Sequence, residues 1–293
     1  PLSFSITPGN TNEQITLKPL EEKLISDFNM SKFVVCTDAG LASTANRKFN
    51  DKADRAFITT QSIKKLKESL RTWSLSTDGW KLPGNDHEYN IENLNEDNDF
   101  NKIYYKERWI NENNLEQRII VTYSMKYANY QKKIRDNQIE RAKKAIAAGK
   151  SKLKKKNAND YRRFVTEIAA TADGEVADKK VYSLNEEVAQ TEALYDGYYA
   201  VCTNLEDSPE SIIKINSKRW EIEECFRIMK SEFEARPVYL QRKDRITAHF
   251  MICFLALTIY RFLEHKLEEN YTCPKIIQTL QDIDVVAIND LVD

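Results

Sequence analysis

Three residues in one helix-prone stretch, Arg219, Glu223 and Lys230, stand at spacings that put them on one face. At about 100° per residue they fall, together with Phe226, within about 60° of one another. Ile222, Cys225, Met229 and Phe233 form an apolar stripe beside them. The Glu223 carboxylate is therefore expected on the border of a buried face, held in position, with two cations nearby to bind an anion. The plainer alternative is an i,i+4 Arg–Glu pair worth about 0.3 kcal/mol. A second carboxylate, Asp38, closes the apolar run Phe33–Thr37, and Gly40 follows to let the backbone turn. Ligands of α/β sheets gather at the carboxyl ends of strands, although a strand-end Asp is equally a turn former. Two carboxylates with neighbouring cations and no Cys/His cluster suit Mg²⁺ or Mn²⁺, which take oxygen ligands. A pair of such ions about 4 Å apart clamps the attacking and leaving oxygens of a phosphodiester displacement.

The elements that must position these groups read as follows. Pro1–Ile6 alternates apolar and small residues as a strand does, and Thr11 three residues before Gln14 forms a capping-box pattern opening a helix to about Phe28. Strand, helix and strand within 40 residues predict an α/β core. Thr72–Leu75, Ile103–Ile110 and Gln117–Ser124 are β-prone runs between Asn/Asp-rich turns, expected as an antiparallel insertion. Tyr127–Ala148 reads as helix, Gly149–Asn159 as a lysine-rich connector, and Val181–Leu184 and Tyr198–Cys202 as strands. Beyond Ser208 the chain is expected to be helical, with a break at Arg236-Pro237.

Composition bounds the function. Only 7 Gly in 293 residues argue against loop-rich β folds. A near-neutral net charge of −1 conceals segregation. Asn85–Phe100 holds six acidic residues and no Lys or Arg, whereas Lys126–Arg163 holds 14 Lys and Arg against three acids. The basic stretch is a candidate nucleic-acid surface, with Lys132, Lys133, Arg141, Lys143 and Lys144 as its contacts; the alternative is a solvated helix and tail. Trp73, Trp80 and Trp109 are candidates for stacking on bases or for packing. The five cysteines include no CxxC pair and read as reduced thiols. His249 reads as a hydrogen-bonded core histidine, and His87 and His265 as surface residues. No signal peptide is visible. The longest apolar run, Phe250–Tyr260, is half the ~20 residues of a spanning helix, so no membrane partner is expected.

Residues 215–231 resemble the C-terminal signature of the DDE transposases of bacterial insertion sequences (the IS-four superfamily), Tyr-x2-Arg-x3-Glu-x6-Lys. Arg219, Glu223 and Lys230 match its last three members, and Asn216 stands at the tyrosine position. Val34–Gly40 is similar to the strand bearing that family's second catalytic aspartate. Asp196-Gly197-Tyr198, Thr203-Asn204, Arg236-Pro237-Val238 and Arg245-Ile246-x2-His249 are similar to its later blocks. The resemblance implies an RNase H-like core over residues 1–60 and 191–293, incomplete at its N-terminus, with a β-rich insertion carrying the basic helix at 61–190. It also implies cut-and-paste transposition by two Mg²⁺ or Mn²⁺ ions, with Asp38 and Glu223 as metal ligands and Arg219 and Lys230 on DNA phosphate. The partners implied are double-stranded DNA, both terminal inverted repeats and target, and a second copy of the chain in a bacterial, nucleoid-associated setting. The family's first aspartate lies on a strand upstream of the one that opens this sequence, and no Asp precedes Asp27. The chain is thus expected to be a truncated transposase, inactive alone. A remnant that binds DNA without cleaving it is the rival, and a ribonuclease-like hydrolase the third reading.

Overall fold

The structure, a computed structural model, describes residues 3–148, 157, 159–170 and 176–284. In chain order the elements are α1 (Glu13–Asp27), β1 (Phe33–Thr37), α2 (Thr44–Phe49), β2 (Arg55–Thr60), α3 (Glu68–Leu75), β3 (Trp80–Leu82) and β4 (Asn85–Tyr89). There follow α4 (Glu96–Asp99), β5 (Tyr104–Asn111), β6 (Glu116–Tyr123), α5 (Met125–Ala147), β7 (Val165–Ala170), β8 (Val176–Leu184), α6 (Glu186–Ala193) and β9 (Tyr198–Thr203). The chain then runs through α7 (Pro209–Ser217), α8 (Arg219–Ser231), α9 (Lys243–Lys266) and α10 (Cys273–Gln281). The architecture is mixed α/β of the RNase H-like type. A seven-stranded sheet has the order β1-β2-β9-β6-β5-β3-β4, and β7 and β8 pair separately. Two compact units emerge, Val34–Ile212 and Pro1–Phe33 with Ile213–Asp293.

In the first unit β9 is bonded on both edges, antiparallel to β2 (Ile58 opposite Thr203) and to β6 (Tyr123 opposite Tyr198). Strands β5 and β6 pair over their whole length, from Tyr104 opposite Tyr123 to Asn111 opposite Glu116, antiparallel as the sequence predicts. The core gathers Phe57, Trp80, Tyr104, Ile119, Val121 and Ala200, all almost fully buried. Burial pushes the Cys202 thiol up to about 11, so it stays protonated and poorly nucleophilic.

Three expectations need correction, and one strand is added. Residues 3–6 belong to no strand, because Phe4 stacks instead on Phe254 of α9 at 4.6 Å between ring centroids. The cap of α1 is Asn12, whose side chain accepts from Gln14 N at 3.0 Å, one residue beyond the Thr11 of the capping-box pattern. Thr72–Leu75 is the end of helix α3, where Leu70 and Ser74 are buried one turn apart and Ser74 bonds back to the Leu70 carbonyl. Strand β2 went unread, because Ala56-Phe57-Ile58 is too short a run to separate strand from buried helix. The connector Gly149–Asn159 lies outside the described residues apart from Asn157 and Asn159.

One turn fixes where α5 leaves the sheet. Gly197 has φ +86°, and a Cβ there would meet the Tyr123 ring at 2.7 Å and the Ser124 carbonyl at 2.9 Å. Its N–H donates to Gln131 Oε1 at 2.7 Å, while its carbonyl accepts from Ser124 N at 3.1 Å. The preceding Asp196 accepts from the buried Arg135 of α5 at 2.6 Å, and that pairing raises the Arg135 pKa. The block Asp196-Gly197-Tyr198 is thus a clamp between β9 and α5.

Strand β5 also carries a buried cation. Lys106 takes a core position beside Tyr104 and places Nζ 4.4 Å from the Trp80 ring and 5.2 Å from that of Trp73. It donates to the Ser76 carbonyl and hydroxyl at 2.9 and 2.8 Å. Burial lowers its pKa to about 8, against the weaker opposing pull of Asp78. Trp73 and Trp80 are therefore packing residues, each with a ring face covered by an ammonium group.

In the second unit Ile228, Leu257, Tyr260, Cys273 and Ile276 form a core across α8, α9 and α10. Arg261 of α9 ties α8 through Glu224 at 3.2 Å and the Glu221 carbonyl at 3.2 Å. His249 meets the Ala235 carbonyl at 3.2 Å, the hydrogen-bonded histidine expected, and holds the segment before the Arg236-Pro237 break. At 24 residues α9 is long and apolar enough to cross a membrane by length and composition, twice the run read from the sequence. Cys253, Leu257 and Tyr260 are its buried residues, whereas Ile252, Leu255, Ile259 and Phe262 are exposed.

Two outcomes follow for stability. Gly197→Ala forces a left-handed backbone on a β-carbon that has no room, so urea denaturation should show a loss of about 2–5 kcal/mol. For Lys106, whose folded pKa lies below its unfolded value, the cost of burying charge is full below pH 8. It is relieved as pH rises towards the unfolded value, because the unfolded chain then binds the extra proton. The urea midpoint of the wild type relative to Lys106→Met should therefore rise between pH 7 and pH 10.

Candidate active site

Asp38 stands immediately beyond β1. The strand end is fixed from below, since Thr37 Oγ1 donates to Thr59 Oγ1 at 2.9 Å and Thr59 Oγ1 donates to the Asp38 carbonyl at 3.4 Å. The side chain folds back over its own turn, with Oδ1 accepting from Gly40 N at 2.9 Å and Leu41 N at 3.1 Å. A Cβ on Gly40 would lie 3.2 Å from that oxygen, so the small residue keeps the turn tight. Asn46 donates to the Leu41 carbonyl at 2.9 Å and Ser43 caps α2, which seats the loop on the next helix. Oδ2 has no hydrogen-bond partner among the described residues, and Asp38 is exposed. The turn-former reading is met: one oxygen organises the loop, and the other faces outward with its rotamer set.

Glu223 sits on α8, one turn after Arg219, whose Nη2 lies 3.7 Å from Oε1. Its side chain is 75% exposed, so it is less confined than the apolar stripe beside it suggests. The reason is that the stripe is only half covered. Cys225, Met229 and Phe233 pack on the core with Ile228, but Ile222 and Phe226 are more than half exposed. Lys230 rests 6.0 Å from the Phe226 ring. The helix therefore brings Arg219, Glu223, Phe226 and Lys230 to one face, as their spacing predicts, with Glu223, Phe226 and Lys230 exposed and the Arg219 side chain largely covered. Asn216, at the end of α7, is buried.

Asp38 belongs to the unit Val34–Ile212, and Glu223 to the other. A carboxylate with one uncommitted, exposed oxygen suits a hard divalent cation, and Asp38 fits that role. Glu223 offers the same donor type. Among the described residues no three His, Cys, Asp or Glu side chains form a ready metal cluster.

The basic residues divide by what they touch. Lys132 pairs with Asp136 at 3.0 Å and Lys143 with Glu140 at 2.9 Å, whereas Lys133, Arg141 and Lys144 are exposed. Sequence reasoning did not find a cleft of about 410 Å³ lined by Trp109, Glu116, Arg118 and Glu206. There Arg118 is buried, pairs with Glu107 at 3.0 Å, and keeps Nε without a partner. The alternation in β5 and β6 carried a signal for Trp109 and Arg118, which face each other across the pair, but Glu206 joins them only through the fold.

Comparison with curated proteins and with solved structures gives no match. A family model, described as the transposase DDE domain, matches residues 1–259, which covers Asp38, the α5 region and the whole of α8. The chain belongs to the DDE-domain transposase family.

Proposed function

We propose that this chain is the catalytic region of an insertion-sequence transposase that cleaves and joins DNA with divalent metal, Mg²⁺ or Mn²⁺. The observation that carries the reading is the Asp38 carboxylate, fixed by two backbone N–H groups through one oxygen while the other stays open at the end of β1. Asp38 and Glu223 would hold the metal, which when bound supplies charge neutralisation at the reacting phosphodiester and an activated water. Arg219 lies beside the Glu223 carboxylate at 3.7 Å, and with Lys230 it would draw a phosphate towards that face. The basic residues of α5 hold double-stranded DNA, both the element's terminal repeats and the target. Two ends are joined at once, so a homodimer on DNA is the working assembly, in the nucleoid-rich cytoplasm of a bacterium. The rival is a chain that binds DNA without cutting it.

Metal and DNA readouts separate the two. Asp38→Asn keeps an amide oxygen to accept from Gly40 and Leu41, so the loop persists while the charge is removed. Mn²⁺ binding followed by electron paramagnetic resonance should weaken about tenfold or more in Asp38→Asn, in line with removing a ligand charge worth at least about 1.4 kcal/mol. In a Mg²⁺-dependent nicking assay of a chain that also carries the family's first aspartate, Glu223→Gln should abolish cleavage and leave duplex affinity within about twofold. Mn²⁺ affinity indifferent to both substitutions, with duplex binding intact, selects the non-cleaving rival.

A further inference from the structure

Helix α5 is the longest element of its unit, 23 residues, and its two sides differ in kind. The inner side buries Arg135, Ala142 and Ala145, and Arg163 stacks behind it, bonded to Gln138 at 2.6 Å and to Glu192 at 2.7 Å. On the outer side Lys126, Tyr130, Lys133, Asn137, Arg141 and Lys144 fall within about 80° of one another at 100° per residue. All six are exposed, and the four cations among them make no ion pair among the described residues. Lys132 and Lys143, each held by an acid on the same helix, point about 130° away from the middle of that stripe. From Lys126 to Lys144 the stripe runs about 27 Å along the helix axis.

Two tyrosines gather at the start of the stripe. Thr59, which bonds the Asp38 carbonyl, precedes Thr60, whose hydroxyl lies 2.6 Å from Tyr199 Oη. Tyr199 in turn interacts with Tyr127, whose phenol is pushed up mainly by burial and then by Tyr199 and Tyr130. Tyr127 stacks on Tyr130 at 6.4 Å, and Tyr130 is 60% exposed at the start of the stripe. The polar groups between the cations, the Tyr130 hydroxyl and the Asn137 amide, are donors suited to phosphate oxygens.

We propose that the outer stripe of α5 is a track for the phosphate backbone of duplex DNA. The track starts at the Tyr127–Tyr130 pair and runs to Lys144, using Lys126, Lys133, Arg141 and Lys144 and leaving Lys132 and Lys143 aside. It spans about eight base pairs at 3.4 Å each. The inference rests on the reading of the chain as a DNA-processing enzyme and sorts the basic residues of that reading into phosphate ligands and bystanders.

The test is the salt dependence of binding by the full chain to a fluorescein-labelled 20-base-pair duplex of arbitrary sequence, measured by anisotropy. Each cation withdrawn from a phosphate should lower the slope of log K against log salt by about 0.9. Replacing Lys126, Lys133, Arg141 and Lys144 together by Gln should lower it by about 3–4, whereas Lys132→Gln/Lys143→Gln should lower it by less than about one. The same slope loss per removed charge in the two variants would overturn the track, because net charge alone would then explain binding. As a readout that needs no variant, acetylation of the wild-type chain should show Lys126, Lys133 and Lys144 protected by the duplex and Lys132 and Lys143 still reactive. Protection that ignores this division also overturns it. Neither measurement involves metal, so failure of the carboxylate assignments would leave a distinct signature, absent Mn²⁺ sensitivity with the slope pattern intact.

Discussion

The backbone hydrogen bonds along both edges of β9 are what the larger unit depends on. Ala200, Val201, Cys202 and Thr203 are buried and flanked by β2 on one side and β6 on the other. A strand so enclosed cannot slip by one residue without turning its whole apolar set outward. Through β2 it fixes the neighbourhood of β1 and so the turn that holds Asp38. Through β6 it fixes the insertion and, by the Gly197 clamp, the exit direction of α5. The candidate carboxylate and the basic helix are positioned by opposite edges of one strand.

The short blocks around β9 are the fittings of that arrangement. Asp196 neutralises a buried arginine of α5, Gly197 gives the helix room, and Tyr198 packs against Tyr123 and Trp80 at 5.0 and 5.8 Å. At the other end Asn204 accepts from Phe57 N at 3.0 Å and donates to Asp51 at 3.0 Å, so it joins β9 to the start of β2 and to the turn after α2. None of these residues touches the proposed chemistry. Their polar side chains are retained because each satisfies a backbone or charged group that would otherwise be left unpaired near the core.

How much of this is legible in the sequence depends on what sets each feature. The helical face of Arg219, Glu223 and Lys230 follows from period alone, and so do α5, α9 and the β5–β6 pair. The Asx turn at Asp38 follows from residue type and Gly40. What periodicity does not reveal is how much of a face is covered: Ile222 belongs to the apolar side of α8 by spacing and is exposed in fact. Lys106 fails in the opposite direction, since alternation along β5 assigns it to the core side and its charge argues for solvent. Two indole faces and a serine resolve that conflict, and they come from residues 73–80, which local pattern cannot join to residue 106. Trp109 and Glu206 are joined in the same non-local way.

The place of β9 in the chain has a consequence for synthesis. Its partner β2 precedes it by about 140 residues, while β5 and β6 adjoin each other across a short turn. As the chain leaves the ribosome, the β5–β6 hairpin can close early from local contacts, but β2 must wait with an unpaired edge until β9 emerges. An exposed strand edge is a template for wrong pairing with another nascent chain. The late central strand therefore makes the interval between the emergence of β2 and that of β9 the vulnerable period in this protein's life.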